Sequence, residues 1–306
     1  MSDGLLLVDK GSGVSSFQVV AHVRRVLREA KVGHGGTLDP MATGILPLLL
    51  GAATKLTPYL QAQDKEYVAV IRLGVTTDTL DATGRITGER AVPALDRVAL
   101  DAVLTRFVGE IDQVPPMFSA LHAGGRRLHE LARAGVEVER AARRVRIDAI
   151  DLTDWAPPCL TVRVACGKGT YIRSLAADVG AALGCGARLE TLTRTRLGRF
   201  SLDDAVPWSV VREGNAVALR AALLPPDRAV DHLPARTVSE AEARRLAHGQ
   251  LLPADEANPA PEAEPEGLCR LYAGSRFLGI GQVGPSGVRP LRLLHADHPR
   301  PRPVSP

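Results

Sequence analysis

The chain is short of the residues that mark several common chemistries. Its 306 residues hold four cysteines (Cys159, Cys166, Cys185, Cys269), with no Cys-x-x-C pair and no histidine at ligand spacing beside them. That pattern argues against a zinc centre or disulfides and for buried free thiols, so no metal is expected. No apolar run reaches the roughly 20 residues that a membrane helix needs. The start, MSDGLLLVDK, has neither the basic stretch nor the cleavage site of a signal peptide, so a cytoplasmic protein without membrane contact is expected. The glycine motif that begins at Gly11 and Gly13 is incomplete. Ser16 stands where G-x-G-x-x-G has its third glycine, and no Walker lysine follows, which argues against a dinucleotide or P-loop enzyme. Lysine is scarce as well: five (Lys10, Lys31, Lys55, Lys65, Lys168) among 38 basic residues. Several of them fall in or beside the motifs below, where a compact ammonium suits the site better than a guanidinium.

What is present is ample apolar matter. At 45% the hydrophobic residues can fill a core, which excludes global disorder, and the length fits about two domains. The net charge of +4 and pI near 9.0 permit a nucleic-acid partner without requiring one. The distribution says more: seven arginines lie between Arg126 and Arg146, while Asp255 to Glu266 is acidic. On charge alone the arginine run is a solvated face or a nucleic-acid contact.

Periodicity sets out the elements. Leu5 to Val8 reads as a buried strand, and Val19, Val20, Val23, Val26 and Leu27 as the apolar stripe of a helix capped by Ser15 or Ser16. ILPLLLG is a buried strand or a helix start; AATKLTPYLQAQ reads as a short helix. Tyr67, Ala69, Ile71 and Leu73 alternate as one face of a strand, VTTDTLDATG reads as a polar loop, and Asp96 to Phe107 as a helix. The segment from Gly109 begins extended and turns helical at Arg126. Two strands follow about a Pro157–Pro158 turn, then a glycine-entered helix at GKGTYIRSLAADVGAALG and a strand at ARLETLTRTRLGRFSL. Mixed elements without regular βαβ alternation predict an α+β domain around a largely antiparallel sheet flanked by helices. Past Pro225 a short helix and glycine-turned strands predict a small β-barrel-like domain. PADEANPAPEAEPEG reads as a flexible insertion and HPRPRPVSP as a disordered tail.

The stretch Gly33 to Gly44, GHGGTLDPMATG, is the most concentrated. Its glycines allow φ > 0 and close backbone approach, and its one acid, Asp39, is biased to extended geometry by Pro40. Locally, Asp-Pro reads as a turn start. The longer pattern GHxGTLDPxATGxLP resembles the signature of the TruB family of pseudouridine synthases, which modify the T-loop uridine of tRNA. DKEYVAV and GKGTYIRSL match further motifs of that family. The likeness is strong over about residues 4 to 210, and the C-terminal part resembles the PUA module, an RNA-binding domain. The resemblance implies a catalytic domain over 1–228, with an RNA-clamping insertion at about 112–146, a PUA-like domain over 229–296 and a tail over 297–306.

It also implies a site. Asp39 is the nucleophile, attacking either the base or the sugar carbon. Arg173 pairs with it, since a buried carboxylate needs an opposite charge to stay ionised. Tyr67 stacks on the uracil and takes part in its deprotonation. Tyr171 and Leu192 line the uracil pocket, His34 contacts a displaced T-loop nucleotide, and Lys10 stands next to the active site as a substrate-binding residue. Two positions depart from the family pattern: Gly11 replaces a proline, and Gly35 stands where threonine is common. The reaction breaks a C–N bond and remakes it through carbon with no external reactant, so no cofactor is expected. The implied substrate is the tRNA T-stem-loop, with uridine-55 flipped from its stack, and the implied protein is a monomer without an obligate protein partner. The rivals are a guide-RNA-dependent pseudouridine synthase and a non-catalytic RNA-binding or RNA-folding protein.

Overall fold

The computed structural model describes residues 3–119, 122–123, 126–133, 135–136, 138–253 and 267–295. The insertion 254–266 and the tail 296–306 lie outside them. The chain opens with β1 (Gly4–Lys10), an apolar run buried on both faces, and continues into α1 (Ser16–Leu27). Ser15 caps this helix. Its hydroxyl accepts from the Gln18 backbone N–H while the Gln18 side chain accepts from Ser15 N–H, the reciprocal pair of a capping box. Next come β2 (Val32–His34) and β3 (Thr43–Leu50), joined by the loop that carries Asp39. ILPLLLG is therefore strand; it is covered on both faces, which is why no alternation marks it.

A 3₁₀ turn over Gly51–Leu56 and the short α2 (Thr57–Gln61) lead to β4 (Lys65–Leu73), where Tyr67, Ala69, Ile71 and Leu73 face inward. The polar segment after it is not all loop: β5 (Val75–Thr77) pairs with β6 (Ile86–Glu89). Asp96 caps α3 (Arg97–Thr105), and β7 (Gly109–Gln113) follows. A two-residue hairpin, β8 (His122–Ala123) with β9 (Arg126–Arg127), precedes α4 (Leu128–Arg133). The helix thus starts at Leu128 rather than at Arg126, whose backbone pairs with Ala123 instead. The hairpin β10 (Arg143–Ala156) and β11 (Cys159–Cys166) turns at Pro157–Pro158, then α5 (Ile172–Ala182) runs into β12 (Ala187–Leu197). β13 (Phe200–Ser201), β14 (Val206–Pro207), α6 (Trp208–Glu213) and α7 (Ala216–Ala221) complete this part.

These strands form one mixed, mostly antiparallel sheet in the order β14-β1-β3-β12-β4-β11-β10-β7, with β2 paired to β3 and β13 to β12. Two joins are parallel, β1–β14 and β3–β12. The remaining elements, β15 (Ala235–Val238), α8 (Glu240–Ala247), β16 (Leu252–Pro253), β17 (Gly267–Ala273), β18 (Arg276–Gly284) and β19 (Gly287–Leu293), build a five-stranded sheet in the order β15-β17-β18-β19-β16 with one helix. The fold is α+β. An apolar cluster joins the two sheets: Leu5, Leu7, Ile45 and Leu49 from the first, Ile280 from the second and Leu294 just past the end of β19, with Ala229 and Val230 between. No helix among the described residues is long and apolar enough to cross a membrane.

Candidate active site

A cavity of about 350 Å³ opens between the loop 36–39, β4, β12 and the start of α5. The loop is anchored from several sides. The Ser16 hydroxyl donates to the Leu38 carbonyl at 3.0 Å and accepts from its N–H at 2.9 Å. Gly13 N–H donates to the Pro40 carbonyl at 2.8 Å. On the other flank, Arg194 Nη2 donates to Gly36 O at 3.1 Å and its Nε to Ile45 O at 2.8 Å. Gly44 must be glycine: its φ is +102°, and a Cβ there would stand 2.2 Å from the Arg194 carbonyl oxygen, so only a bare backbone lets β3 run parallel to β12 at this point.

Asp39 and Arg173 meet in this cavity. Arg173 Nε lies 2.8 Å from Asp39 Oδ2 and Nη2 3.1 Å from Oδ1, a two-pronged fork. The guanidinium is 4% exposed and every side of it is engaged. Nη2 also donates to Phe118 O at 2.8 Å, Nη1 donates to Thr79 O at 3.2 Å, and Asp81 Oδ2 is 3.7 Å from Nη1. Asp81 is itself locked, accepting from the Thr79 hydroxyl (2.7 Å), Thr83 N–H (2.9 Å) and the Thr83 hydroxyl (2.6 Å). One buried cation therefore sits between two carboxylates, of which only Asp39 opens to the cavity, with about a third of its side chain exposed. Burial pushes the Asp39 carboxyl above its ordinary value; the Arg173 charge opposes this and the Asp81 charge adds to it.

Tyr67, from the middle of β4, and Leu192, from β12, line the same cavity, as does Tyr171 at the N-cap of α5. Burial raises both phenols from their ordinary value, with the Arg194 guanidinium opposing it at Tyr67. Five residues singled out from the sequence (Asp39, Tyr67, Tyr171, Arg173, Leu192) thus share one wall-to-wall space. Lys10 and His34 do not line it. Lys10 is wholly buried, its ammonium donating to the carbonyls of Gly11 (2.9 Å), Val14 (2.8 Å) and Pro40 (3.3 Å). Burial brings its pKa down to about 8. It clasps the Asp39 loop to the first glycine turn. His34 lies on β2 opposite Leu48, half-buried, where burial and the Arg194 charge depress its pKa.

The two departures from the family pattern are filled by neighbours. A Cβ on Gly35 would come 2.5 Å from Leu60 Cδ2, and one on Gly11 2.9 Å from Trp208 Cδ1. Leu60 and Trp208 occupy the space that threonine and proline would take. Sequence reading missed Arg194 and Asp81, and marked Lys65 only as a scarce lysine inside a motif, without a place in the site. Lys65 lines the cavity, bonded to the carbonyls of Gln61 and Gln63, and burial lowers its pKa to about 8. The trace of Arg194 was its spacing, two residues after Leu192 and so on the same strand face.

Residues 24–172 match the family model for the TruB family pseudouridylate synthase N-terminal domain. Residues 173–231 match that for the tRNA pseudouridylate synthase B C-terminal domain, and 234–294 that for the pseudouridine synthase II TruB C-terminal region. Curated relatives called tRNA pseudouridine synthase B include that of Azoarcus sp. (strain BH72), 47% identical over 293 residues and 95% of each chain. That of Pseudomonas aeruginosa (strain UCBPP-PA14) is 44% identical over 299 residues and 96% of each. The chain belongs to the TruB family.

The boundary between the first two TruB models falls between Ile172 and Arg173, so the Asp39–Arg173 pair is assembled from both matched segments. Among solved structures the TruB fold extends to a Cbf5-Nop10-Gar1 complex, whose matching chain has a TM-score of 0.74 and 26% identity over 95% of this chain and 85% of that one.

Proposed function

We propose that the protein is a tRNA pseudouridine synthase that isomerises uridine-55 of the T-loop to pseudouridine. The observation that carries this reading is the Asp39–Arg173 fork inside a cavity walled by two tyrosines and a leucine. The uridine leaves its stack and enters that cavity, at the usual cost of a few kcal/mol. Asp39 attacks the base or the sugar carbon as a carboxylate and forms an ester-type bond to it; the glycosidic C–N bond breaks, the freed uracil turns, its C5 bonds to C1′, and the bond to Asp39 breaks to return the free carboxylate. The proton lost from C5 is balanced by the one gained at N1, so the isomer forms without a co-reactant. Arg173 keeps Asp39 ionised and aimed. Tyr67 packs on the base and takes part in its deprotonation; burial raises its phenol, and the bond and charge of Arg194 beside it oppose that rise. Tyr171 and Leu192 hold the uracil ring, and His34 meets RNA outside the cavity.

On this reading residues 1–228 are the catalytic domain, the segment 112–146 clamps the RNA, and 229–296 form an RNA-binding domain. The enzyme works as a cytoplasmic monomer. Relatives named for tRNA at 44–47% identity over nearly the whole chain favour the tRNA reading over a guide-RNA-dependent one. A protein that only binds RNA would have no use for a buried, forked carboxylate. The test is to incubate the protein with an unmodified tRNA transcript and map pseudouridine, alongside Asp39→Asn. The wild-type protein should modify one T-loop position, and Asp39→Asn should bind the transcript yet leave it unmodified. Turnover by Asp39→Asn would refute the nucleophile, and binding without modification by the wild type would favour the rivals.

A further inference from the structure

Gln113 ends β7 at the root of the proposed clamping insertion, 2% exposed, and its carboxamide is directed entirely at one residue. Its Oε1 accepts from Tyr171 N–H at 2.8 Å and its Nε2 donates to Tyr171 O at 3.1 Å. The side chain thus pairs with the Tyr171 backbone as a neighbouring strand would. Tyr171 needs that support. It is the N-cap of α5, where ordinary helices use a side-chain oxygen, and it supplies none. Its carbonyl also accepts the first helical bond, from Leu175 N–H at 3.1 Å.

The next residues of the root are fastened to the same helix start. Val114 O accepts from the Ser174 hydroxyl at 2.8 Å, Phe118 O accepts from Arg173 Nη2 at 2.8 Å, and Ser119 bonds the Tyr171 phenol. The root of the insertion is therefore tied to two side chains of the cavity, and Gln113 is the tie that fixes the backbone of Tyr171.

Resting on the function proposed above, we infer that Gln113 is a positioning residue: through its paired bonds to the Tyr171 backbone it sets Tyr171 and Arg173 in register with Asp39. It touches no substrate. A displacement of about 1 Å at such a point costs on the order of 100-fold in rate, because the reacting groups lose their alignment while binding persists.

The experiment is single-turnover pseudouridine formation on a tRNA transcript, with transcript Kd and melting temperature measured on the same preparations. Gln113→Met keeps the shape and loses both bonds. It should lower kcat by roughly 10- to 100-fold with Kd within about twofold of wild type, the signature of an interaction that acts on the transition state rather than on binding. Ser174→Ala frees the same segment without touching Tyr171 and should stay within about threefold of the wild-type rate, because no reacting group loses its alignment. If Gln113→Met does not fold, Gln113→Glu decides, since it keeps the acceptor for Tyr171 N–H and loses the donor to its carbonyl; a rate loss at unchanged Kd supports the inference. A wild-type rate in the folded variant, a loss confined to Kd, or an equal loss in Ser174→Ala would overturn it. Inactive wild-type protein would instead refute the function on which it rests.

Discussion

An attacking aspartate must be ionised where water is scarce, and the two demands conflict because burial favours the neutral acid. In this site the conflict is met by one guanidinium held from four directions: Asp39, Asp81, Phe118 O and Thr79 O. Lysine has the charge but not the planar fork. Arg173→Lys should therefore lose on the order of 100-fold or more in kcat, the penalty of a misaimed nucleophile, with tRNA affinity largely kept; near-normal turnover would refute the pairing. The raised Asp39 pKa fixes the sign of a pH effect. The reactive carboxylate is present above the folded pKa and lost as pH falls through it, so the acid limb of the single-turnover rate should lie above the ordinary carboxylate range. Asp81 is one cause of the rise, and Asp81→Asn removes its charge. The limb should then move to lower pH, while the plateau drops because Arg173 loses an anchor. An unmoved limb would mean that Asp39 does not feel Asp81. Asp39, Tyr67 and Arg173 could be read from the sequence because each lies in a contiguous motif. Asp81 and Arg194 could not, since their roles exist only across the sheet: Arg194 looks like any strand arginine until Gly36 and Ile45 are folded against it.

Among the elements, the parallel junction of β3 and β12 carries the most consequence, since it brings the Asp39 loop beside Leu192 and Arg194. Gly44→Ala would place a methyl against the Arg194 backbone at a left-handed φ. The strained backbone alone costs of order 1–3 kcal/mol, so the variant should melt well below wild type and lose activity even at temperatures where it stays folded. Wild-type melting would show that the strands part freely here. The Gly35–Leu60 contact makes a second test. Gly35→Thr should destabilise by an overpacking cost of about 1–3 kcal/mol, and Leu60→Ala in the same chain should restore part of it. If the two changes simply add, the threonine space is not the one Leu60 fills. Elements with strong periodicity, such as α1 and β4, follow their sequence closely. ILPLLLG stayed ambiguous because burial on both faces erases alternation, and Arg126 and Arg127 read as helix because a two-residue hairpin is too short to leave a period.

At the scale of the molecule, the C-terminal sheet does not hang from a linker. Ile280 and Leu294 are buried in the same apolar cluster as Leu5, Leu7, Ile45 and Leu49, and Lys55 donates to the carbonyls of Leu293 (2.7 Å) and Leu294 (2.9 Å) across the junction. Ala229 and Val230, beyond the compositional shift at Pro225, are wholly buried in this cluster, so a cut at the shift would remove part of the first sheet's cover. Truncation after Leu233 spares them and is the fairer test. Losing Ile280 and Leu294 removes roughly 1.5–3 kcal/mol of burial each, which should lower the melting temperature by about 6–24 °C. The truncated chain also loses nine arginines, Arg236, Arg270, Arg289 and Arg292 among them, so its affinity for tRNA should fall and the slope of log Kd against log salt should flatten, with fewer phosphates neutralised. Assayed below its own melting temperature at saturating tRNA, it should keep a single-turnover rate near wild type, since no cavity residue lies beyond Arg194. If the rate falls at saturation while melting is unchanged, the C-terminal sheet acts on the chemistry itself. If melting falls but the salt slope is unaltered, its contribution is structural and the RNA lies elsewhere.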